Sequence, residues 1–108
     1  MSYPSQISFY QRFETDILAG KKTITIRDES ERHFAPGSEV DVVTFEQNRL
    51  FCRIEITSVD PISFDELNEV HARQENMSLS ELKSVIAEIY PGIYSLYKIT
   101  FKLCTPKR

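Results

Sequence analysis

The densest run of reactive side chains in the sequence is Gly20-Lys21-Lys22-Thr23-Ile24-Thr25-Ile26-Arg27. A hydroxyl is a poor nucleophile at its own pKa and needs a base beside it to take its proton. Lysine can be that base only where burial or nearby positive charge lowers its pKa from about 10.4. Lys21, Lys22 and Arg27 lie close enough in sequence to crowd one another in this way, and Thr23 and Thr25 supply the hydroxyls. The competing interpretation is a solvated basic strand edge with no chemistry. Arg27 is a candidate for substrate binding or for stabilising an oxyanion, set against an exposed ion pair with Asp28 or Glu29.

The elements around this run decide which groups can meet. Phe13 and Ile17 share one helical face, with Leu18 beside them, and Gly20 supplies the usual left-handed helix stop. The following TITIR, residues 23–27, alternates as a half-buried strand: Ile24 and Ile26 on one face, Thr23, Thr25 and Arg27 on the other. In an unbroken strand Lys22 would point away from Thr25. The two can meet only if the chain bends or the strand starts after Lys22, which a helix ending at Gly20 permits.

Further strands are expected at Ile7–Phe9, Val40–Phe45, Leu50–Val59 and around Tyr97–Leu103, with a hairpin at Glu46-Gln47-Asn48. Residues 28–38 read as a charged connection turning at Pro36-Gly37. Ser63…Glu66 and Ser78…Glu81 are capping-box signatures for two helices, joined by the polar connector Arg73–Met77. Leu79, Leu82, Ile86 and Ile89 form an apolar stripe expected to be core. Short loops between strands suggest an antiparallel sheet, and curling it into a small barrel is an economical way to close its edges. The expected fold class is therefore α+β: a small, mostly antiparallel β-barrel with flanking helices, one domain over residues 1–108.

Composition narrows the function classes. A net charge of −3 argues against broad binding to nucleic acid, which favours a basic face. No segment approaches the roughly 20 apolar residues of a membrane span. The N-terminal MSYPSQISFYQRF lacks the pattern of an export signal, so a cytoplasmic protein with free Cys52 and Cys104 is expected. Without CxxC, HExxH or a histidine cluster, neither a metal nor another cofactor is expected. His71 reads as a helix-face residue and His33 as a loop residue; Tyr90 and Tyr94 are candidates for stacking on a base, with core packing as the alternative.

The pattern Gly20-x-Lys22-x-x-Thr25-x-Arg27 resembles the G-x-K-x-x-E-x-R signature of ASCH domains, small barrels related to the PUA fold and associated with RNA, with Thr25 where that signature has Glu. The stretches FYQRFETDILAGKKTITIRDESERHF, FCRIEIT and HARQENMSLSELKSVIAEIYPG resemble the bacterial N4-acetylcytidine amidohydrolases, a similarity running from about Ile7 to Leu103. The resemblance implies Thr25 as nucleophile, Lys22 as proton acceptor and Glu75 as proton donor in cleaving the N4-acetyl amide of N4-acetylcytidine. It also implies a small nucleoside substrate, with RNA possible but not required. A monomer is expected. The rival function is a non-catalytic module that binds modified cytidine or RNA. A hydroxyl in place of the signature Glu, together with the acidic charge, favours the enzyme. Gln74 and Asn76 are further candidates for contacting a base edge.

Overall fold

The computed structural model describes residues 3–104. Its strands are β1 (Gln6–Phe9), β2 (Ile24–Arg27), β3 (Glu39–Thr44), β4 (Leu50–Ser63) and β5 (Ser95–Leu103), and its α-helices are α1 (Glu14–Leu18), α2 (Glu69–Gln74) and α3 (Leu79–Ile89). The strands make one sheet in the order β1-β3-β4-β5-β2. All pairings are antiparallel except β1 with β3. The α+β class and the mostly antiparallel sheet are as expected. The barrel is not closed: β1 and β2 remain the two edges, with no ladder between them.

β4 is longer than the expected Leu50–Val59, although Pro61 lies within it. Proline cannot donate to a ladder and is confined to positions where that donor is not needed. β3 pairs only with β4 residues up to Glu55, so the last part of β4 has β5 on one side and no strand on the other. The register slips between Ile56 and Ser58, leaving Thr57 as the extra residue of a bulge. That slip reverses which side chains face which side. Ile54 and Ile56 pack with Ile7, Phe9, Val40, Val42 and Ile99 in one core, whereas Ile62 packs with Ile24, Ile26, Leu82, Ile86 and Leu96 in the other. One strand thereby serves both cores.

The helices differ from expectation in two places. Ser63 and Glu66 do form a capping box, but it closes only a single 3₁₀ turn, Phe64–Glu66. α2 itself is capped by Asn68, whose side chain accepts from the Val70 amide at 2.8 Å, while His71 Nδ1 accepts from the Asn68 amide at 3.2 Å. An Asn68→Ala variant is expected to lose about 1 kcal/mol of stability, read as a lower melting temperature. The second correction concerns α3, whose Ser78 cap is as expected. Only Leu82 and Ile86 of its stripe are fully buried, and Ile89 is 36% exposed. The helix meets the sheet along a narrow line, which leaves Ile89 at the rim of a cavity. None of its helices is long and apolar enough to cross a membrane among the described residues.

Candidate functional site

α1 is ended by Gly20 at φ +74°, and the Lys21 and Lys22 amides both return to the Asp16 carbonyl, at 2.9 and 3.2 Å. This closure turns the chain sharply, and β2 begins only at Ile24. The strand therefore starts after Lys22, the condition under which Lys22 and Thr25 can serve one space. Within β2, Ile24 and Ile26 pack towards the helices. Thr25 lies opposite Ile99 of β5 and shares its face, away from those isoleucines.

The opposing carboxylate comes from the far end of α2. Glu75 is the C-cap residue of that helix rather than a member of a free connector, and Asn76 follows at φ 57°, reversing the chain. Two bonds tie this segment to the lysine. The Thr23 amide donates to the Gln74 carbonyl at 2.7 Å, and Asn76 Nδ2 donates to Asp16 Oδ1 at 3.0 Å. Lys22 and Glu75 are held from both flanks, and Lys22 Nζ contacts Glu75 Oε1 directly. Lys22 and Glu75 are each 3% exposed and Thr25 5%.

These three groups line one cavity of about 160 Å³ between the two sheet edges and α3. Phe9, Tyr10 and Phe13 line it from the β1 side, Phe45 from the β3–β4 hairpin, and Met77, Val85 and Ile89 from α3 and its approach. The Lys22 ammonium position lies 4.9 Å from the Phe13 ring centroid and 5.6 Å from that of Phe9.

Burial is the main force on the lysine, and the Arg27 guanidinium adds to it. Together they push its pKa down to about 7, against a smaller opposing pull from Asp16. Lys21, by contrast, is exposed.

Arg27 spans the open seam. Its Nη2 donates to the Ser8 carbonyl of β1 at 2.7 Å, its Nη1 to Glu31 Oε1 at 2.6 Å, and its Nε to Thr25 Oγ1 at 2.8 Å. The guanidinium carbon lies 4.8 Å from the Phe9 ring centroid. The ion pair is thus with Glu31, not with Asp28 or Glu29. Because an arginine carries five N–H donors, two remain for a ligand in the cavity that Arg27 also lines. A donor aimed at the threonine oxygen stabilises that oxygen as negative charge develops on it. It also leaves the hydroxyl's own proton to point elsewhere.

Tyr90 lines the cavity and is half-buried, its hydroxyl pKa raised to about 12 mainly by burial. Tyr94 is elsewhere, 55% exposed and donating to Asp65 at 2.9 Å. Gln74 and Asn76 contribute the flanking ties already described rather than cavity lining. Cys52 and Cys104 are free thiols, as expected, and lie outside this cavity. Among the contributors not anticipated from sequence are Glu31, the Ser8 carbonyl, and the rim aromatics Tyr10 and Phe45. Only Glu31 left a signal, a carboxylate four residues after Arg27, obscured because the intervening chain is not an α-helix.

Comparison with known proteins bears on what this arrangement is for. The ASCH domain family matches residues 4–90. The chain is 60% identical over 102 residues to the N(4)-acetylcytidine amidohydrolase of Vibrio vulnificus (strain YJ016), covering 94% of this chain and 98% of that protein. It is 57% identical over 99 residues to the protein of the same name from Escherichia coli (strain K12 / DH10B), covering 92% and 96%. The crystal structure of an ASCH domain from Lactobacillus crispatus JV V101 matches with a TM-score of 0.74 at 22% identity, over 94% of this chain and 80% of that one. That structural likeness speaks for the fold.

Proposed function

The chain belongs to the ASCH-domain family, within which its near relatives carry the name N(4)-acetylcytidine amidohydrolase, and on that premise we propose that it cleaves the N4-acetyl amide of N4-acetylcytidine to cytidine and acetate. The observation that carries this reading is the buried contact of Lys22 with Glu75 in the cavity that Thr25 also lines. A cavity of about 160 Å³ is smaller than the roughly 300–1,000 Å³ of a site that encloses a whole drug-sized ligand. It suits the acylated end of a nucleoside, with the sugar left towards solvent.

In the active form the Lys22–Glu75 pair holds one proton, placed on the carboxyl, and the amine is neutral. Lys22 takes the Thr25 hydroxyl proton as Oγ attacks the acetyl carbon, and the Arg27 Nε donor steadies the oxygen before attack. Collapse of the tetrahedral adduct breaks the bond from carbon to N4, and Glu75 gives N4 its proton. Cytidine leaves, and an acetyl ester remains on Thr25. In the second half, water loses a proton to the Glu75 carboxylate and attacks the ester. Thr25 then recovers its proton from the Lys22 ammonium. Acetic acid departs, giving up its proton to solvent to become acetate, and the pair regains its starting proton count.

Activity on this scheme requires the uncharged amine. The Lys22 pKa lies below its ordinary value, so protonation switches the base off only as pH falls through the lowered value. The acid limb of kcat/KM is expected to have its midpoint near pH 7, the value to which burial and Arg27 bring Lys22. A pH profile of acetate release checks this, and a flat profile between pH 6 and 8 contradicts it.

The reading as a whole is tested by incubating the protein separately with N4-acetylcytidine and with acetylated RNA and assaying acetate. Release from the nucleoside supports the enzyme. Retention of RNA with no acetate from either would favour a binding module.

A further inference from the structure

Phe45 is not accounted for by either core. It is 64% exposed, yet it lines the catalytic cavity, and its backbone is tied to β1. Its amide donates to the Phe9 carbonyl at 2.7 Å. The Gln11 amide donates to Glu46 Oε1 at 2.9 Å, tying the hairpin tip to the turn after β1. Its ring packs against Tyr10, with centroids 5.1 Å apart and planes tilted by 58°. The result is a fixed aromatic pair at the mouth of the site, on the β1–β3 side of the seam, with Val85 and Ile89 of α3 contributing to the same cavity.

We propose that Phe45, backed by Tyr10, forms a stacking platform that takes the pyrimidine ring of the substrate. This rests on the amidase reading above and extends it to the residues that recognise the base. The scissile amide is conjugated with the ring, so acyl group and base enter as one flat unit, the ring two bonds beyond the carbon that meets Thr25, with N4 between them. Flat rings stack favourably on aromatic faces without needing a particular hydrogen-bond pattern. A ribose presents hydroxyls instead, and the Phe45 side chain has no polar atom to satisfy them.

Steady-state acetate release from N4-acetylcytidine and from the free base N4-acetylcytosine tests the platform, alongside calorimetric titration with cytidine. Loss of one base–aromatic stack corresponds to roughly a 5- to 150-fold change in affinity. Phe45→Ala is expected to raise KM about tenfold or more for both substrates, with kcat within about twofold. The same variant should weaken cytidine binding to a similar degree, and Phe45→Trp should restore both. Since the side chain is largely exposed, the melting temperature should hardly move. An unchanged KM, or a rise confined to the nucleoside, overturns the assignment to the pyrimidine. If the wild type releases no acetate, the amidase reading fails on its own. The titration then decides the platform: cytidine bound more weakly by Phe45→Ala upholds it, and equal or absent binding overturns it.

Discussion

Thr25→Ala is expected to lower acetate release from N4-acetylcytidine by about 10³-fold or more while leaving a folded protein. The size follows from the role: removing a nucleophile removes the covalent route, and what is left is binding and electrostatics around a substrate with nothing to attack it. The fold should survive because Arg27 keeps its bonds to Glu31 and to Ser8 across the seam. The lost hydrogen bond comes from a charged donor and is worth about 1.5–3 kcal/mol. Thr25→Ser should recover part of the rate, since it restores an oxygen to accept from Arg27 Nε. Thr25→Val is the isosteric control: it takes the same acceptor from Arg27 Nε while keeping the shape, and should cost a similar amount. Turnover at the wild-type rate by Thr25→Ala would remove threonine from the mechanism.

The second large effect is at Lys22, and it changes stability as well as rate. The sequence alone suggests that Lys22→Ala should abolish activity in an intact fold. The structure adds that Lys22 is buried against Glu75. With the pair's one proton on the carboxyl, removing Lys22 leaves Glu75 a buried polar group without its partner, a typical penalty of about 1–3 kcal/mol. Lys22→Ala should therefore be inactive and also melt well below the wild type. The double variant Lys22→Met with Glu75→Leu separates the two effects. Apolar replacement of a buried pair is often neutral or stabilising, so the melting temperature should return most of the way while acetate release stays absent. A double variant that melts as low as Lys22→Ala would mean that the pair is structural in a way this mechanism does not describe.

Much of the fold was legible because local pattern and tertiary role agree. The alternation in Ile24–Arg27 survives as β2, Gly20 does end α1, and Ser78 does cap α3. What was not legible depends on partners distant in sequence. Pro61 signals a strand end when read locally, but one side of β4 has no neighbouring strand there, so the missing donor goes unneeded. Thr57 looks like one more member of an alternating strand, and only the ladder with β5 reveals it as a bulge that sends Ile62 to the second core. The seam between β1 and β2 is a property of strand order alone, and sequence patterns do not encode strand order. At the site, the hydroxyl and both lysines were visible as a cluster. Glu75 was not, except by resemblance, because nothing local to Gln74-Glu75-Asn76 tells that Asp16 and Thr23 will dock there. The three donations made by Arg27 likewise join partners from β1, β2 and the turn after it.

Catalysis by this route requires an amine at position 22 that surrenders its proton close to neutrality. Titration of ¹³C-labelled lysine side chains by NMR reads this directly, with Lys22→Met to assign the resonance. One lysine should titrate near pH 7, in step with the acid limb of the rate. A Lys22 resonance that titrates instead near the ordinary value of about 10.4 would contradict this route.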